Sequence, residues 1–307
     1  MTCVPRLLAM TSALCAAAPI AAQSAPSSQP PPAAPADAQP GGNEIVVTGK
    51  PGKPTAGEVF DQARGISRVG RHDLYEEALP RFWSPVCPGV SGLKAAFAEA
   101  MVGRMRDNLA RLKVPLARGR CSPNLVVAFA DDGRSLLADL QRDRPALFER
   151  VSDAEKAEIL GDEAPVHVWT NIARRWTGAG APPRDEAKAS VWGQLDRTTM
   201  PWSYDIVGAL VVFDRRAVTG LTLDQLADYA TMRGLSHTRP ASGAAPMATI
   251  LSLFDADGAS PGELTDFDTG YLRSLYSSRP SASAAHKLLD VRRWAEKASR
   301  EAPPAKP

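Results

Sequence analysis

Ile206-Val207-Gly208-Ala209-Leu210-Val211-Val212-Phe213 is a continuous apolar run rich in β-branched residues, and it predicts a buried strand. Asp214 to Gly220 turns out of it. Thr222 with Gln225 then forms a capping-box pattern that opens a helix with its core face at Leu223, Leu226, Ala227 and Ala230. Gly234 is placed to end that helix. A strand feeding directly into a capped, apolar-faced helix is the unit on which the fold class rests.

Upstream, Leu93, Phe97, Met101, Met105, Leu109 and Leu112 recur at spacings of three or four, so Ser91 to Val114 reads as an amphipathic helix with those residues facing the core. Leu125-Val126-Val127-Ala128-Phe129 predicts a second buried strand. Asp131-Asp132-Gly133 turns it toward a helix over Leu136 to Leu140. Ser152 with Glu155 opens a short helix to Leu160, ended by Gly161, and Val166 to Ile172 reads as a strand. Arg174 to Met200 is polar, contains Gly and Pro, and reads as a long loop. The expected fold class is α+β, a single domain at 62–298 with a small twisted mixed sheet packed by helices.

The N-terminus has one cation, Arg6, before an Ala-rich apolar run from Leu7 to Ala22, the layout of a secretory signal peptide (1–22) cleaved near Ala22. Cys15 is set aside as a lipidation site because bulky Leu14 precedes it. The expected destination is the periplasm. Residues 23–61 are dominated by Pro, Ala, Ser and Gly and read as a disordered tether, and 299–307 as a disordered tail. Of 4 cysteines, Cys87 and Cys121 remain after cleavage. In an oxidising compartment they are expected to form a disulfide; two buried free thiols are the alternative.

Lys plus Arg number 36 against 34 Asp plus Glu. That balance shows no basic stripe, so nucleic acid is not an expected partner, and no run of about eighteen apolar residues follows the signal to span a membrane. Glu44-Ile45-Val46-Val47-Thr48-Gly49 is a β-prone island between Gly-rich and Pro-rich segments. It resembles the TonB-box segment of TonB-dependent outer-membrane receptors, although the chain is too short for their plug and barrel. The island reads either as a strand-adding tag for a periplasmic protein partner or as an unstructured leftover.

Ala227-Asp228-Tyr229-Ala230-Thr231-Met232-Arg233-Gly234-Leu235-Ser236-His237-Thr238 resembles, in register, the metzincin metalloprotease signature H-E-x-x-H-x-x-G-L-x-H-S/T. In that family the histidines hold zinc and the Glu is the general base. Here Ala227 and Thr231 occupy the helical His positions, Asp228 the Glu position, and His237 alone matches a ligand. Leu264-Thr265-Asp266-Phe267-Asp268 leading through Leu272 to Leu275-Tyr276 is similar to a pattern near the end of metzincin-like chains, and Met247 lies where a methionine turn is sought. Phe82-Trp83-Ser84-Pro85-Val86-Cys87-Pro88 with Cys121-Ser122-Pro123-Asn124 resembles exported alphaproteobacterial proteins of unassigned activity.

The resemblance implies a zincin-like pseudoenzyme with no bound metal, no cofactor and no catalytic residue, kept to bind an unknown periplasmic protein or peptide or for a structural role. A metallohydrolase using His237 with Asp228 is the enzymatic alternative. Other chemistry is weaker. His72, His167 and His286 stand far from one another and from His237 in sequence, and Ser91 in Gly89-Val90-Ser91-Gly92 resembles a nucleophile elbow without a strand before it. Asp255-Ala256-Asp257-Gly258 with Glu263 has its Gly too early for a calcium loop. Asp131, Asp132, Asp205, Asp214 and Asp228 are candidates for paired carboxylates, while Trp169, Trp176, Trp192 and Trp202 bracket the middle loop as a groove or a core edge.

Overall fold

Five strands pair into one mixed sheet: β1 (Arg81–Phe82), β2 (Pro88–Ser91), β3 (Leu125–Ala130), β4 (Val166–Trp176) and β5 (Trp202–Asp214). The structure is a computed structural model that describes residues 53–70, 72–161, 164–178, 200–241, 245–255 and 260–301. β5 is the spine. Along one edge it pairs antiparallel with the whole of β4, and along the other it pairs parallel with β1 at Asp205 and Ile206 and with β3 from Ala209 onward. β2 lies parallel outside β3.

Alternation divides the strand residues between two cores. Leu125, Val127, Phe129, Ala209, Val211, Phe213, Val166 and Val168 face the larger one, closed by α1 (Ala56–Ile66), α2 (Ala95–Arg111), α5 (Leu223–Ser236), α6 (Asp266–Ser277), α7 (Ala284–Leu289) and α8 (Val291–Glu301). Ala128, Val212 and Trp169 face the smaller, with Leu137 of α3 (Gly133–Asp143), Phe148 of the 3₁₀ turn Pro145–Phe148 and Ile159 of α4 (Asp153–Gly161). Gly270 lets α6 and α8 meet: an added Cβ would lie 2.6 Å from the Ala295 nitrogen and 2.8 Å from the Val291 oxygen, both backbone atoms. Among the described residues no helix is long and apolar enough to cross a membrane.

The α+β class, the small sheet and the Cys87–Cys121 disulfide are as expected. The two cysteines sit just before β2 and β3, with Cα atoms 6.1 Å apart, and Asn124 braces the junction. Its Oδ1 accepts from the Cys87 N–H at 2.7 Å and its Nδ2 donates to the Pro85 carbonyl at 3.1 Å.

Several boundaries differ from expectation. The folded unit starts ahead of residue 62, because Thr55 and Glu58 form a capping box and α1 buries Val59, Ala63 and Ile66. Ser91 ends a strand instead of opening a helix; Gly92 follows at φ 81°, where a Cβ would meet the Phe129 carbonyl oxygen, and the chain turns there into α2. Phe97, expected in the core, is 52% exposed, since the first turn of α2 extends past the sheet contacts that bury Met101, Met105 and Leu109. β4 continues to Trp176 across a bulge at Asn171/Ile172, so the expected loop from Arg174 begins as strand. The expected signal peptide, most of the expected tether, residues 44–49, Trp192, Asp257 and most of the expected tail lie outside the described residues.

The disulfide closes a loop with a sequence separation of 34. Replacing both cysteines by alanine is expected to lower the unfolding free energy by about 4 kcal/mol in a urea titration. A loss below about 1 kcal/mol would show that the staple adds little to the fold.

Candidate functional site

The helix that carries the signature-like spacing is capped by Thr222, whose Oγ1 accepts from the Gln225 N–H while the Gln225 side chain accepts from the Thr222 N–H. Every residue from Leu226 to Ser236 is buried. A helix enclosed on all sides needs internal partners for each polar group it carries. Asp228 finds four. Its Oδ1 accepts from Arg104 Nε at 2.9 Å and Asn108 Nδ2 at 2.6 Å, and its Oδ2 from Arg104 Nη2 at 2.7 Å and the Leu264 N–H at 2.8 Å. The same contacts hold the Arg104 guanidinium still more firmly in its charged form. Thr231 turns its hydroxyl back onto the Ala227 carbonyl at 2.7 Å, and Ala227 is fully buried.

Gly234 does not end the helix. An added Cβ would lie 2.3 Å from Leu125 Cδ1, so the glycine lets α5 press against the start of β3. The cap falls three residues later at His237, which adopts φ 49°, ψ 43° in the left-handed region. Thr238 bridges antiparallel to Ser67, and the Arg239 N–H donates to the Ile66 carbonyl at 2.7 Å, so the end of α5 is tied to the end of α1.

His237 therefore points away from the Asp228 cluster, toward a cavity of about 170 Å³. Arg68, Glu77, Leu79, Ile172 and Tyr204 line it with His237; Ala227, Asp228 and Thr231 do not. Burial, reinforced by Arg68, Arg233 and Arg239, lowers the imidazole pKa to about 3, leaving the ring neutral at ordinary pH. Its Nε2 lies 3.7 Å from Glu155 Oε1, too long for a hydrogen bond, and with the ring uncharged the contact is not an ion pair. Burial raises the Glu155 carboxyl, with Arg68 opposing and Glu158 adding to the rise. Glu77 is raised by burial first, then by Asp73 and Glu76. The pair from different elements, Glu77 before β1 and His237 after α5, carries no sequence motif; only the His was legible.

The other candidates are held in local structural contacts. Asp131 pairs with Arg215, Asp132 caps α3, Asp205 pairs with Arg175, and Asp214 accepts from the Gly133 N–H at 2.6 Å. Ser91 does stand at the end of a strand, contrary to expectation, but no His hydrogen-bonds to it among the described residues. His167 is buried with its Nδ1 3.2 Å from the Ile159 carbonyl, whereas His72 and His286 are exposed. Met247 is fastened through its backbone to Gln62 of α1. Trp169 belongs to the smaller core, and Trp176 packs edge-on to Trp202 at 5.0 Å. Glu263 reaches Arg104 at 3.1 Å. Among the described residues no three His, Cys, Asp or Glu side chains gather at metal-binding distance.

No protein-family model, no curated protein and no solved structure matches this chain.

Asp228→Ala is expected to destabilise the protein by about 3–5 kcal/mol, because it leaves the buried Asn108 amide without this acceptor and Arg104 with the exposed Glu263 in its place. Glu263→Gln, at a 64% exposed side chain, is expected to change stability by less than about 1 kcal/mol. Equal effects in urea titrations would remove Asp228 from its anchoring role.

His237 supplies a pH signal of known sign. Its folded pKa lies below its unfolded value of 6.5, so the unfolded chain takes up the proton first and this contribution to stability is lost as pH falls from about 6.5 toward 3. His237→Asn keeps a residue suited to the left-handed cap. The wild type is expected to lose about 2–3 kcal/mol relative to this variant between pH 7 and 4.5. Parallel stability curves for the two proteins would contradict a neutral, buried imidazole.

Proposed function

We propose that this chain is an exported, non-catalytic binding protein with a zincin-like arrangement, and that the cavity beside His237 is its binding site. The observation that carries the non-catalytic reading is the saturation of Asp228. All its strong acceptor positions are filled by Arg104, Asn108 and Leu264, so the residue at the general-base position of the metzincin pattern has no lone pair directed at a substrate or water. A metal site built from His237 and Asp228 would require breaking those bonds, and the two side chains serve different elements.

Support for the zincin-like part is the signature-like spacing on a buried helix that follows the last strand of a sheet with four parallel strands and one antiparallel edge strand. Support for export is the signal-like run Leu7 to Ala22 together with the disulfide. The cavity is the preferred binding site because it joins apolar walls to titratable groups with shifted pKa values. Three larger clefts, about 430, 540 and 570 Å³, are less suited: the shifted carboxylate in the last of them, Glu58, is exposed and already held by Thr55 at the cap of α1.

Metal analysis of protein purified without added zinc, with a peptidase assay on the same sample, tests this reading. The expected result is well under one zinc per chain and no hydrolysis above a Thr231→Val control. One tightly held zinc per chain, or peptidase activity abolished by chelation, would replace it with the metallohydrolase.

A further inference from the structure

We propose that the His237 cavity takes a primary ammonium group carried on a small apolar body, with Glu77 and the neutral imidazole of His237 as its acceptors. This deepens the binding-site reading above and rests on it.

Glu77, like Glu155 beside His237, differs from the other enclosed carboxylates, and of the two it is Glu77 that lines the cavity. Asp205, Asp228 and Asp268 all have donors: Asp205 has Arg175, Asp228 has four bonds, and Asp268 accepts from Thr249, Ile250 and Thr265. Among the described residues no hydrogen-bond donor and no cation reaches the Glu77 carboxylate. Its backbone is nonetheless fixed, the N–H donating to the Asp73 carbonyl at 2.8 Å and the carbonyl accepting from the Ala284 N–H at 2.7 Å. The side chain is thus a half-buried acceptor, positioned on the wall of a cavity and left without a partner. Holding such a group costs stability unless something else meets it.

The Glu77 side of the cavity favours a cation. Asp73 and Glu76 add negative potential at Glu77, while Arg68, the one lining residue with a positive charge, is already paired with Glu158 at 2.9 Å. His237 adds no charge of its own, because its ring is neutral, and although Arg68, Arg233 and Arg239 place positive potential there, no hydrogen-bond partner of either ring nitrogen is found among the described residues, so the attraction comes from the Glu77 side and the imidazole serves as a neutral acceptor. An ammonium has three donors and no acceptor, which matches a carboxylate and an imidazole nitrogen better than an alcohol or a carboxylate ligand would. Val69, Leu79 and Ile172 offer apolar wall, and Tyr204 adds an aromatic residue to the lining, a type that attracts ammonium. A volume of about 170 Å³ is close to that of a cavity known to admit a single benzene ring.

The test is a titration of the purified full chain with benzylamine hydrochloride, benzyl alcohol and sodium benzoate at pH 7.5, read by calorimetry and by the His237 and Tyr204 side-chain resonances. Benzylammonium is expected to bind at least about tenfold more tightly than either isostere, and Glu77→Gln to remove that preference. Glu77→Gln is also expected to melt no lower than the wild type, since it relieves an unpaired buried charge, so loss of binding is not loss of fold. If benzyl alcohol or benzoate shifts the His237 resonances as strongly as benzylammonium, or Glu77→Gln keeps the preference, the ammonium assignment fails while the binding site stands. If none of the three moves those resonances, the cavity itself fails as a binding site and the assignment falls with it.

Discussion

The carboxylate of Asp228 is the point on which the larger core turns. A fully buried anion is tolerated only when its charge and lone pairs are met, and this one is met by a guanidinium, an amide and a backbone N–H. Those donors come from α2 and from the turn just before α6. Three segments far apart in sequence are therefore brought to one place, and the rotation of α5 about its own axis is fixed. With that rotation set, Gly234 meets Leu125 and the helix ends with His237 directed to the opposite side. The geometry that would make Asp228 a base is the geometry that the fold has spent on holding itself together.

The second constraint lies at the sheet edge. α4 stands beside β4 and contributes to both faces: Ile159 enters the smaller core and its carbonyl lies 3.2 Å from the His167 ring. Glu158 and Glu155 extend the other way, to Arg68 at 2.9 Å and to the neighbourhood of His237 at 3.7 Å. One short helix thus packs beside the edge strand and also reaches Arg68, a residue of the cavity lining. A second group of bonds secures the segment from Glu77 to Phe82 on the far wall. Arg81 Nη1 donates to the carbonyls of Leu275, Tyr276 and Ser278, and the buried Lys287, its pKa lowered to about 7 by burial and by Arg81, donates to the carbonyls of Leu79 and Pro280. The cavity is built between parts that are each anchored elsewhere.

What could be read from the sequence was local. The capping pairs Thr222 with Gln225 and Ser152 with Glu155 act over three residues, and the alternating strands act over two, so both are visible in the order of residues. The disulfide followed from Cys87 and Cys121 having no other cysteine after Cys15 in the sequence. The misses are all contacts at long range. Nothing near Arg104 announces a partner 124 positions away, and the two-residue β1 has no periodicity to detect. Gly234 has the sequence of a helix end and the job of a packing contact, which only the position of Leu125 reveals. The left-handed conformation of His237 is likewise set by the tie between Thr238 and Ser67 and not by a glycine in the sequence. Of the site, His237 alone was legible; Glu77 and Tyr204 become its neighbours only once β1, β5 and α5 have been assembled.

A double-mutant cycle on Arg104→Met and Asp228→Asn, with unfolding free energies from urea titrations, addresses the central claim most directly. If Asp228 is an anchor, the two changes are expected to be strongly non-additive, with a coupling energy of about 2–3 kcal/mol. Additivity within about 0.5 kcal/mol would mean that the carboxylate is not held by α2, and would return it to the set of groups free to do chemistry.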